Sequence, residues 1–137
     1  MIAHHALIET LFTVFRDSLG KSGEVGKNLA DFKRQAEKHF FVEENVNFRF
    51  VFSSQRELYE IVKDLIKEHV IMLDMMKTIE EKLPGGGEAE TNELQDILRH
   101  HRQVEEEVLY PEMERTLSQY QKDTIIEEIN KISLESQ

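Results

Sequence analysis

Four stretches of this chain place apolar residues alternately three and four apart, and one histidine interrupts the apolar row of each stretch. That spacing is one face of an α-helix. The first row is His5, Ile8, Phe12, Phe15, Leu19, and the second is Leu29, Phe32, Ala36, His39, Glu43, Val46, Phe50. The third is Leu58, Val62, Leu65, His69, Met72, Met76, Ile79, Leu83, and the fourth is Leu94, Leu98, His101, Glu105, Val108. Glycine-rich breaks at Gly20 to Gly26 and Leu83 to Gly87 separate them, and Ser53-Ser54-Gln55 reads as a helix-capping region. The pattern predicts an all-α chain, an antiparallel up-down-up-down four-helix bundle forming a single domain over residues 1–137. Its helices are expected near residues 2–19, 27–52, 55–83 and 89–118, with a short C-terminal helix near 122–133. Pro111 lacks a backbone donor and should end or kink the fourth helix. The segment FRFVF alternates like a strand, but the three–four row runs on through Val46 and Phe50, and an isolated strand has nothing to pair with.

The residues that break the rows carry the chemistry. Glu43 follows His39 by four positions and Glu105 follows His101 by four, so each pair shares a helix face. In an antiparallel pair, residues at equal height are mirror images about the turn. The midpoint of His39 and His69 falls on Ser54, that of His69 and His101 on Gly85, and that of His5 and His39 within the first glycine-rich break. One layer of the core is therefore expected to consist of four imidazoles and two carboxylates. Burying unpaired carboxylates costs several kcal/mol, and a pair of bound metal ions is the simplest compensation. Imidazole and carboxylate suit iron and similar divalent metals. The candidate metal ligands are His5, His39, Glu43, His69, His101 and Glu105, two histidines per ion with both glutamates bridging. A hydroxide bridge, or outer acids such as Glu44 and Glu106, would lower the remaining positive charge. His4 and His100 each precede a row histidine and point about 100° away from it, which makes them solvent-facing or outer residues. Glu9 lies just off its row and reads the same way.

Composition removes several other functions. The absence of cysteine excludes disulfides, thiolate zinc sites and iron–sulfur clusters, and fits a cytoplasmic, reducing compartment. The net charge of −10, without a basic patch or stripe, argues against nucleic acid and anionic membrane partners. There is no long apolar run for a transmembrane helix and no secretory signal in MIAHHALIETLF.

HFFVE (His39 to Glu43) and HRQVEEEVLYP (His101 to Pro111) resemble the motifs of hemerythrin-like, or HHE cation-binding, domains. HALIE (His5 to Glu9) and EHVIML (Glu68 to Leu73) resemble the first- and third-helix motifs of the same family. The resemblance covers about 110 residues. It implies a non-haem di-iron centre held by the six residues above, bridged by Glu43 and Glu105 and by an oxo or hydroxo group. Oxygen-carrying hemerythrins supply a second third-helix histidine four residues on, where this chain has Leu73, and an aspartate five after the fourth-helix histidine, where the carboxylate here is Glu105 at four. The resemblance thus implies a centre that binds or responds to O2, NO or peroxide in sensing, storage or protection, rather than a reversible oxygen carrier. Repair of iron centres, processing of peroxide or NO, and a purely structural metal are the alternatives. No further catalytic group favours an enzyme. A ferritin-like site would need E-x-x-H pairs, and the sequence has none.

Overall fold

The computed structural model describes residues 2–20, 23–50, 58–83 and 85–135, which are helical with short turns and contain no strand. Helix α1 spans Ile2–Ser18, α2 Val25–Val42, α3 Tyr59–Lys82, α4 Glu88–Val104, α5 Tyr110–Thr116 and α6 Gln119–Glu135. Two wider π-helical turns, Glu43–Asn47 and Glu105–Leu109, continue α2 and α4. The capping reading of Ser53-Ser54-Gln55 falls outside the described residues, as do Val51 and Phe52 of FRFVF; residues 48–50 of that segment are helical. No helix among the described residues is long and apolar enough to cross a membrane.

Cross-helix contacts fix the directions. Phe12 packs edge-on against Phe32, and His5 meets His39, so α1 and α2 run antiparallel. Lys33 pairs with Glu80 while Glu43 meets His69, so α3 runs against α2. Lys82 pairs with Glu90 and Glu68 with His101, so α4 runs against α3. Glu9 pairs with Arg102 and His5 with Glu106, which closes α4 onto α1. The turn into α4 needs Gly87, whose φ of 98° strains any L-residue and whose added Cβ would lie 3.4 Å from Ile79.

Two apolar clusters fill the bundle. One gathers Phe12, Phe15, Phe32, Met72, Met76 and Leu94; the other gathers Val46, Phe48, Leu65, Leu109 and Met113. Along α2, α3 and α4 the histidines and row glutamates fall between the two clusters, so the core is interrupted by a single polar layer.

Three local expectations are corrected. The fourth apolar row does not reach Val108, which is 41% exposed, but Leu109, which is fully buried. The π-turn adds one residue to the turn and so moves the inward face on by one. The same effect in α2 buries Phe48 completely and leaves Phe50 half-buried. The C-terminal helix begins at Gln119, earlier than expected, because Ser118 and Gln121 form a capping box. The Gln121 N–H donates to Ser118 Oγ (3.1 Å) and the Ser118 N–H to Gln121 Oε1 (2.9 Å). Pro111 does not end the helical run: it is the second residue of α5, directly after the π-turn.

Candidate metal centre

All six residues expected as ligands are buried and meet in the polar layer. His5, His39 and Glu105 form one group whose ligand atoms lie within 4.8 Å of one another, and Glu43, His69 and His101 form a second. His5 Nε2 lies 3.0 Å from His39 Nε2, and His69 Nε2 lies 3.1 Å from His101 Nε2. Each glutamate reaches both groups. Glu43 Oε1 is 3.2 Å from the Nε2 atoms of His39 and His69 and 3.6 Å from that of His101. Glu105 Oε1 is 2.6 Å from His101 Nε2, and its Oε2 is 3.8 Å from His5 Nε2.

The outward nitrogens of the four imidazoles are all engaged. His5 Nδ1 meets Glu106 at 3.1 Å, His69 Nδ1 meets Glu44 at 3.1 Å, and His101 Nδ1 meets Glu68 at 2.9 Å. A carboxylate only accepts, so these three rings carry a proton on Nδ1 and, when neutral, a bare lone pair on Nε2. His39 Nδ1 meets His4 Nδ1 at 3.0 Å. With the rings neutral, lone pairs and carboxylate oxygens thus converge about 3 Å apart in a buried layer, which is repulsive without a cation. Glu105 Oε1 has no hydrogen-bond partner although it is fully buried. Neighbouring ligands about 2.1 Å from one ion stand roughly 3 Å apart, so the donor set and its spacing fit two divalent ions.

An imidazole that takes a second proton donates through Nε2 as well, so in the metal-free layer protons can stand in for the missing cation. Burial pushes the Glu43 carboxyl up, but hydrogen bonds from His101, His39 and His69 outweigh it and hold Glu43 well below the usual carboxylate range. Burial lowers His39, and burial together with His39 lowers His5. Burial also lowers His101, but Glu43 and Glu68 more than reverse this.

Several contributors were not singled out in the sequence reading. Tyr110 donates its hydroxyl to Glu105 Oε2 at 2.5 Å and lies 3.4 Å from Glu43 Oε2 and from His5 Nε2. Burial, then the charge of Glu43, pushes this phenol up, so it stays protonated and remains a donor. Phe40 and Phe48 stack nearly parallel to His69, at 4.0 and 6.0 Å between ring centroids. Glu68 accepts from both His101 and His100; it directly precedes His69, and only the α3–α4 pairing reveals its partners. Glu44 and Glu106 lie where outer acids were expected. His4 is half-buried against His39, whereas His100 is exposed.

A cavity of about 20 Å³ opens beside the layer, lined by His5, His39, His101, Ile8, Glu9 and Arg102 among others. Glu9 lies outside both groups and pairs with Arg102 at this cavity. Arg102 Nε is buried without a hydrogen-bond partner; a Glu106 carboxylate oxygen is 3.9 Å away.

The family model described as the hemerythrin HHE cation binding domain matches residues 1–113. No curated protein and no solved structure matches the chain. With the family match spanning all four bundle helices and both His/Glu groups, the chain belongs to the hemerythrin HHE cation-binding domain family.

Proposed function

We propose that the six buried residues hold two iron ions and that the centre binds or responds to a small ligand such as O2, NO or peroxide. The observation that carries this reading is the pair of three-residue groups, each with two histidines and one glutamate, joined by carboxylates that reach both. When bound, such an ion pair supplies open coordination positions and electrons to a small ligand. The protein's part is to hold, shield and select. Tyr110 restrains Glu105, the outer carboxylates fix the imidazole planes, and Phe40 and Phe48 keep the layer dry. The adjoining cavity of about 20 Å³ is slightly above what one water requires. It therefore favours ligands of two or three atoms over organic substrates. Arg102 offers a spare donor there, suited to a ligand that gathers negative charge.

Leu73 stands where an oxygen carrier has a fifth histidine, so both ions keep room for an external ligand. The diferrous protein is expected to bind NO and, in air, to oxidise to a stable diferric form. The test is to record spectra under NO, and then in air followed by removal of oxygen. Full return of the diferrous spectrum without reductant would restore oxygen carriage as the better reading. No spectral response to either gas would assign the metal a structural role. Leu73→His is the matching gain-of-function variant, expected to saturate one ion and to slow its oxidation.

A further inference from the structure

The four imidazoles are not supported alike. His69 and His101, which share one group, both donate through Nδ1 to carboxylates, Glu44 at 3.1 Å and Glu68 at 2.9 Å. In the other group His5 donates to Glu106, but His39 has no carboxylate behind it. Its Nδ1 meets His4 Nδ1 at 3.0 Å, and His4 Nε2 meets the side-chain oxygen of Gln35 at 3.2 Å. The hydrogens can be assigned along this chain. With His39 Nε2 turned inward, its Nδ1 carries the hydrogen and donates to His4. His4 must then accept on Nδ1, carry its own hydrogen on Nε2 and donate that to Gln35 Oε1. The chain ends on an uncharged amide, and His4 is neutral throughout.

A carboxylate behind a metal-bound imidazole raises the basicity of the ligand, and losing such a partner typically costs 10–100-fold in metal affinity. One position thus has two carboxylate-backed imidazoles, and the other has one. That remaining carboxylate, Glu106, also shares its charge with Arg102, 3.9 Å away.

We infer that the two metal positions are unequal, with the Glu43–His69–His101 position filling first, and that His4 behind His39 sets the weakness of the other. This rests on the reading of the six residues as ligands, and adds that the chain passes through a one-metal state before the second ion binds.

The experiment is a titration of the metal-free full chain with cobalt(II), followed by calorimetry and visible absorption. Two steps at least about tenfold apart are expected. His5→Ala should keep the tight step and lose the weak one, and His69→Ala should lose the tight one. His4→Glu, which offers a carboxylate from the same position, should tighten the weak step. Because that side chain has a different reach, Glu44→Gln combined with Glu68→Gln provides a second route: it should loosen the tight step and narrow the gap. Two equal steps in the wild type, or a gap that none of these variants moves, would overturn the inference. Absence of any cobalt binding, or uptake of a single ion, would instead defeat the underlying two-metal reading.

Discussion

Glu43 has no exposed surface, yet its carboxyl lies well below the usual carboxylate range because three imidazoles face it. The sign of the resulting pH effect follows directly. A carboxyl whose folded pKa is depressed contributes stability above its unfolded value of about 4.3 and loses it as pH falls through the folded value. Glu43→Gln is therefore expected to flatten the acid limb of metal-free unfolding below about pH 5, as read by circular dichroism. An unchanged acid limb would show that the carboxylate is not stabilised this way. The histidines divide more sharply than adjacency suggests. His5→Ala and His101→Ala should each abolish stable metal binding at their position. His100→Ala, which removes an exposed ring that only shares Glu68, should change affinity little. His4→Ala should weaken metal binding without abolishing it. Metal content after dialysis separates these outcomes, and His100→Ala losing as much metal as His101→Ala would show that the register of α4 is off by one. Which histidines and glutamates belong to the layer was legible in the sequence, because each interrupts an apolar row. Tyr110, Glu68 and the role of His4 were not, since each is defined by a partner on another helix or across a π-turn.

At the scale of elements, the two π-turns begin at Glu43 and at Glu105, the two row glutamates. In each, the N–H of the residue five positions on, Phe48 or Tyr110, returns to the glutamate carbonyl. The wider turn sets Tyr110 over Glu105, which makes the 2.5 Å hydrogen bond possible. Tyr110→Phe should lower stability by about 1.5–3 kcal/mol and loosen metal binding, measured by chemical denaturation with and without metal. A variant indistinguishable from wild type in both would mean that the hydroxyl does not restrain Glu105. Periodicity at 3.6 residues per turn carries no sign of such a widening. This is why the helices themselves are readable from the rows, while the rows pick Phe50 and Val108 in place of Phe48 and Leu109. The capping box of α6 was readable in principle from Ser118 and Gln121, three apart ahead of an apolar run. Ser118→Ala should cost about 0.5–2 kcal/mol, detectable as lost helicity or faster amide exchange at the start of α6, and unaltered exchange there would contradict the cap.

Taken whole, the described residues form two apolar clusters separated by a layer that repels itself unless protons or metal ions sit in it. Metal bound by these residues would join α1, α2, α3 and α4 at one height and should stabilise the folded chain by mass action. At free metal one hundred times the dissociation constant the gain is about 2.7 kcal/mol, a rise in melting temperature of roughly 5–15 °C. Superimposable melting curves with and without metal would mean that the layer is not a site. The most direct test of the central claim is the iron content of the chain reconstituted anaerobically with ferrous iron and freed of excess. The arrangement of six ligands in two joined groups predicts about two irons per chain; saturation at one iron in a mononuclear site would contradict it.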